Sequence, residues 1–349
     1  MNKLLLSIMG GLSLALAALY LTDTIRATPR QWPSSVQRLD LPVPSILKPT
    51  LAAAGGILGS PVCGPDSSLY FRRVPAAGSA LETPVSRISP DGSETEIDLG
   101  KVPNAGGKLY VMSFTIDKAG EIYSILRSEN DGREYLVAYD PVGRYQWSNP
   151  LAVSLRPSFL LKVATGRFLV GGMTITRSDA APTPVISLIE KSGAVYRSLV
   201  QTGDNQSTSR TVSGSFFNPA IELGSAAVGQ DGSVYLFKPN SYPVIQNLTA
   251  DGETTRVLQL IPPADQSQAA DFFLDGQTAG VLYQRQLQPE GGKSKAELLL
   301  ALYGAEDGRP KALYVQSAPG ILACLRNREL TILSTSVDRH FVVGSVALP

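Results

Sequence analysis

The sequence predicts an all-β chain of six four-stranded antiparallel units closed into a ring, a six-bladed β-propeller, and three observations carry that prediction. First, "SAAVGQDGSVYLFK" (Ser225 to Lys238) repeats the grammar of "FTIDKAGEIYSILR" (Phe114 to Arg127). Each is an apolar run, a polar turn ending in Gly, and a β-rich run with Tyr three residues after the Gly. Second, another apolar–turn–Gly–β motif follows each copy, its glycines at Gly92, Gly143, Gly193, Gly252 and Gly308, spaced 51, 50, 59 and 56 residues apart. Third, no segment after the leader carries a helical period, whereas period-2 runs of Val, Ile, Leu, Tyr and Phe recur throughout.

The elements follow in order. The first unit combines Asp66-Ser-Ser-Leu-Tyr70 with "VSRISPDGSETEIDL". In the second, Gly120-Glu-Ile-Tyr123 precedes "LVAYDPVGRYQW". The third pairs Gly166-Arg-Phe-Leu169 with "VISLIEKSGAVYRSLV", and the fourth pairs Gly232-Ser-Val-Tyr235 with "VIQNLTADGETTRVLQL". Gly280-Val-Leu-Tyr283 and "LLLALYGAEDGRPKALYV" make the fifth. Each unit is thus two hairpins, with Gly where a short turn needs positive φ. Such a unit cannot cover both of its faces alone, and radial stacking solves this. "ILACLRN", "RELTILSTS" and "HFVVGSVALP" supply three strands of a sixth unit. The fourth is expected from "VQRLDLPVP", residues 36–44, pairing in the last blade and leaving no open sheet edge.

The expected organisation is a leader, residues 1–27, and a propeller over 28–349. Lys3 precedes an uncharged stretch from Leu4 to Leu21, with small residues near Ala15 and Ala17. It reads as a signal peptide or as an uncleaved anchor that tethers the chain through residues 4–21. Either reading puts the rest outside the cytoplasm, periplasmic or extracellular. The net charge of +1 excludes the basic footprint of a nucleic-acid binder. Two cysteines, Cys63 and Cys324, leave open a disulfide or two buried thiols. Each lies six residues before a matching Leu, Leu69 and Leu330, and equal phase on neighbouring units would turn one sulfur from the other.

Chemistry-bearing motifs are few. The sequence contains no CxxC, HExxH or P-loop, and its single histidine, His340, has only Asp338 nearby. No catalytic set emerges. The first-to-second and third-to-fourth turns are tight ("DKAG", "QDG", "SPDG", "EKSG"), while the connections on the opposite face are long. Insertions collected on one face mark the binding face of a repeat fold. The longest insertion, 201–219, holds Arg210, Phe216 and Phe217, residue types that anchor interfaces. A protein or carbohydrate partner on that face is the expected ligand, and no cofactor is expected.

The recurring Gly-[Ser/Glu]-[Val/Ile]-Tyr at about 50-residue spacing resembles six-bladed propellers of the NHL-repeat and gluconolactonase type, over residues 36–349. NHL-type resemblance implies a binding module. Gluconolactonase-type resemblance implies a divalent metal in the central channel and lactone or ester hydrolysis. Candidate oxygen ligands for Ca²⁺ or Mg²⁺ are Asn104, Asn218, Glu222 and Asp271, although the early Glu of that pattern is absent.

Overall fold

The computed structural model describes residues 31–41, 45–46, 57–73, 84–103, 107–163, 166–174, 183–200, 225–239, 242–265, 267–290, 293–316, 320–335 and 341–348. The expected leader, Asn104, Arg210, Phe216, Phe217, Asn218, Glu222 and His340 lie outside them.

The first two strands are β1 (Arg38–Asp40) and β2 (Ser45–Ile46). Blade one is β3 (Ile57–Cys63), β4 (Leu69–Arg73), β5 (Pro84–Ile88) and β6 (Glu94–Asp98). Blade two is β7 (Leu109–Ile116), β8 (Ile122–Ser128), β9 (Glu134–Tyr139) and β10 (Tyr145–Pro150). The third comprises β11 (Leu155–Lys162), β12 (Arg167–Thr174), β13 (Pro184–Glu190) and β14 (Val195–Val200). The fourth comprises β15 (Ser225–Val228), β16 (Val234–Lys238), β17 (Val244–Leu248) and β18 (Thr254–Gln259). Blade five is β19 (Ser267–Asp275), β20 (Thr278–Glu290), β21 (Lys293–Gly304) and β22 (Pro310–Gln316); blade six opens with β23 (Ile321–Arg326), β24 (Glu329–Thr335) and β25 (Phe341–Ala347). Within each blade, consecutive strands pair antiparallel.

Hydrophobic packing closes the ring. One buried cluster fills each interface between neighbours: Val85 with Leu126, Ile125 with Phe168, Leu188 with Leu236, Phe237 with Phe272, Leu300 with Leu330, and Leu333 with Phe71. Both faces of a blade are therefore covered, and β8 shows how its sequence serves both. Ile122 and Leu126 face blade one, while Tyr123 and Ile125, on the alternate positions, face blade three. The paired faces are why these strands read as nearly continuous apolar runs.

Ring closure follows the expected principle with a different register. The fourth strand of blade six does come from the N-terminal side, but it is β2, paired antiparallel to β25 through Ser45↔Ser345 and Ile46↔Gly344. The expected segment, 36–44, contributes β1 to blade five instead, in parallel with β22. Trp32 and Leu41 show why the chain docks there. The Trp32 ring meets Tyr303 edge-on at 5.7 Å, and Leu41 is buried in the cluster between blades five and six.

Blade five departs from the repeat in two more ways. Its first hairpin turns at Gly276 and Gln277, so Gly280, the expected turn glycine, lies inside β20 and Tyr283 faces blade four. The expected loop "QLQPEGGKSKAE" is mostly strand, because β20 and β21 continue as one long hairpin to the pair Glu290↔Lys293.

Candidate functional site

The six first strands, β3, β7, β11, β15, β19 and β23, line a central channel. Five of them break their ladder with a bulge. The inserted residues are Gly59 to Pro61 on β3, Met112 on β7, Ser158 on β11, Ala270 on β19 and Ala323 on β23. All of them line one cavity of about 650 Å³ in the channel. A bulge bends its strand and re-aims the side chains beside it, and bulges gather next to functional sites. Here the ring of bulges sets the cavity's level.

Asp271 follows the bulge at Ala270 and lines this cavity. Its Oδ1 accepts a hydrogen bond from the Phe272 backbone N–H at 2.8 Å. Burial pushes its carboxyl up to about 6. Asp271, a candidate oxygen ligand from the sequence, thus lies on the channel wall. It is the one candidate metal ligand among the described residues, which hold no group of three or more His, Cys, Asp or Glu able to bind an ion.

Arg72 is the cation of the cavity. The β3 bulge sets Gly59, Ser60 and Pro61 opposite Phe71 alone, and the Arg72 side chain passes over Gly59. A Cβ at Gly59 would lie 3.3 Å from Nη2, and the backbone there has φ +78°. Arg72 Nη1 donates to the Val111 carbonyl on β7 at 2.5 Å, and burial lowers the guanidinium's pKa from its ordinary value. An arginine stays charged through such a shift.

At the end of the cavity towards the tight turns, polar groups pair with one another. Lys162 Nζ donates to Asp117 at 2.7 Å, Glu121 at 3.3 Å and the Tyr123 hydroxyl at 2.5 Å. Burial pulls this ammonium down, but the hydrogen bonds to Asp117 and Tyr123 outweigh it and hold Lys162 above the ordinary lysine range. Burial, with the bond to Glu121, pushes the Tyr123 phenol up to about 12. Lys118 crosses the channel from blade two to blade four, with Nζ 2.9 Å from the Gln230 carbonyl and 3.4 Å from that of Gly229. It borders both the bulge-level cavity and a second one of about 540 Å³ at the tight-turn mouth.

The two cysteines meet at the same end. Cys63 and Cys324 form a disulfide across blades one and six, with Cα atoms 6.1 Å apart. The equal-phase argument fails because the hairpins differ. Cys63 opposes Leu69, whereas Cys324 opposes Thr331, one residue beyond Leu330. A one-residue offset sends a side chain to the other face of its sheet, so the two sulfurs turn towards each other.

Arg72, Lys118, Lys162 and the bulge ring escaped the sequence reading. A signal for the bulges was present: Gly59 and Pro61 inside "ILGSPVC", and Pro157 inside "LRPSFLLK", sit where a regular strand excludes them.

No protein family and no curated protein sequence matches the chain. Solved structures similar to it include a protein of unknown function from Bacteroides caccae, 14% identical over 74% of this chain and 86% of that one, with a TM-score of 0.41. The Neurospora crassa Pan2 WD40 domain is 8% identical over 84% and 90%, with a TM-score of 0.47. A GH130-family enzyme is 11% identical over 68% and 85%, with a TM-score of 0.36.

Proposed function

We propose that the protein is an exported or membrane-tethered binding propeller without chemistry of its own, taking its ligand through the long-loop face into the channel beneath it. The observation that carries this reading is the cavity at the bulge ring. Its volume of about 650 Å³ is that of a small-ligand site. Its lining mixes apolar side chains, such as Met112, Phe159 and Phe273, with a few polar ones, such as Arg72, Ser158 and Asp271. Export is supported by the leader and by the Cys63–Cys324 disulfide, a bond that persists in oxidising compartments. A protein or carbohydrate on the long-loop face remains the partner of choice, with Arg210, Phe216 and Phe217 as its anchors.

Asp271 keeps a second reading open, a lactone or ester hydrolase with Ca²⁺ or Mg²⁺ held between it and Asn104, Asn218 and Glu222. One experiment separates the two. The chain from residue 28 onward is screened on a glycan array and for captured proteins. In parallel, its melting temperature and its hydrolysis of lactones are followed while calcium and magnesium are titrated. Specific capture lost on deleting 201–219, with no metal-dependent turnover, is the expected result. Stoichiometric metal with turnover that Asp271→Ala abolishes would replace the binding reading.

A further inference from the structure

We propose that the channel cavity binds a small organic monocarboxylate, its carboxylate on the Arg72 guanidinium and its apolar body in the bulge-level cavity. This deepens the binding reading above and rests on it.

The guanidinium is the starting point. Among the described residues, its hydrogen-bond partner is the neutral Val111 carbonyl, and it forms no ion pair. A half-buried cation without a counter-charge is unfavourable, and an arriving anion would neutralise it. The backbone is shaped for this. The β3 bulge and the missing side chain at Gly59 give the guanidinium its path along the cavity wall. A planar fork of N–H donors matches a planar carboxylate.

The remaining charges set the ligand's charge. Lys162 is neutralised by Asp117 and Glu121. Lys118 is tied to two carbonyls at the floor. Asp271, on β19, lines the same cavity and has no cation paired with it among the described residues. A dianion such as phosphate would find a single fork and a carboxylate in the same cavity. Val62, Met112, Phe159, Leu161 and Phe273 give the cavity apolar stretches of wall between its polar groups. These features suit a monoanion with a hydrocarbon body.

The test uses benzoate and hexanoate, with benzamide and hexanamide as neutral counterparts and phosphate and sulfate as other anions. Binding to the chain from residue 28 onward is measured by calorimetry at about pH 7.5. Saturable binding of a carboxylate, absent for its amide, is expected. Arg72→Met should weaken it at least about tenfold, and Arg72→Lys less, because charge without the fork remains. Asp271→Asn removes a carboxylate from the cavity and should tighten binding about three- to tenfold. That gain cannot come from misfolding, so it decides the matter even if Arg72→Met does not fold. Equal binding of amides, preference for phosphate or sulfate, or unchanged affinity in folded Asp271→Asn would each overturn the proposal. Absence of carboxylate binding alongside glycan or protein capture refutes this inference alone. Metal-dependent lactone turnover refutes the binding reading beneath it.

Discussion

The two levels of the channel treat their polar groups in opposite ways. At the tight-turn end, Lys162 pairs with two carboxylates and a phenol, Lys118 spans to two carbonyls, and a disulfide joins the first blade to the last. At the bulge ring, Arg72 has one neutral partner, Asp271 accepts from its own chain neighbour, and the buried Ser158 and Ser225 hydroxyls have no partner among the described residues. Met needs hold blades together; unmet ones subtract from stability. The difference teaches which end is architecture and which end is kept ready for something else. Local rules broken together around one cavity point to function at that level.

Removing the architecture should have the largest effect. The Cys63–Cys324 bond closes a sequence separation of 261 residues and ties blade one to blade six, the blade that β2 completes from the N-terminal side. Its loss in a Cys63→Ser, Cys324→Ser double variant should lower unfolding free energy by about 4 kcal/mol, read from urea midpoints. Wild type in reductant should shift by a similar amount. A shift below about 1 kcal/mol would mean that β2 and the interface packing close the ring unaided.

Next in size is a contrast between two turn glycines with similar backbones. A Cβ on Gly193 (φ +85°) would sit 2.0 Å from the Pro150 carbonyl oxygen, whereas one on Gly166 (φ +77°) meets nothing within 4 Å. Gly166→Ala should therefore show backbone strain alone, about 1–2 kcal/mol. Gly193→Ala adds a backbone collision and should reach about 3 kcal/mol or more. Equal midpoints for the two variants would refute the idea that the turn packs rigidly on blade two.

The architecture was legible because hairpin glycines recur through the first five blades and apolar runs recur through all six, and each repeat restates the same physical requirement. Gly120 and Gly232 both carry φ +84°, the conformation their motif implied. Of the cavity's charged residues, the sequence singled out Asp271, as an oxygen-bearing side chain on an inner strand. Arg72 hid because it sits on the second strand and reaches the channel only through a bulge on the first. Bulges break the period of two, and any argument that counts alternation loses the face at that point. The cysteines failed for the same kind of reason: equal spacing to a Leu concealed turns of different length.

Asp271 offers a stabilising change. Its carboxyl is pushed up to about 6 in the folded chain from 3.8, so the native state binds the proton more tightly than the unfolded one. The stability tied to this group is fully present below about pH 4 and is lost as pH rises through about 6. Asp271→Asn keeps the oxygen that accepts from Phe272 and removes the charge. It should therefore raise stability by about 1–3 kcal/mol at pH 7.5, with the gain vanishing near pH 4. Urea midpoints of both proteins from pH 4 to 8 check this, and parallel curves would place Asp271 in ordinary solvent.

The smallest effect tests the comparison at single hydroxyls. Ser124 is fully buried, and its Oγ donates to the Ser113 carbonyl at 3.0 Å. Ser158 and Ser225, at the cavity, bury hydroxyls without such a partner. Ser124→Ala should be destabilising by about 1 kcal/mol, since it strips a made hydrogen bond from the core. Ser158→Ala and Ser225→Ala remove a polar atom that is already unpaired, and should be neutral or stabilising by up to about 1 kcal/mol. If a cavity ligand uses those hydroxyls, the same two variants should lose affinity while gaining or holding stability. That opposite movement of stability and binding is what separates a group kept for a ligand from one kept for the fold. Three equal losses would mean that the serines at the bulge ring are architecture too.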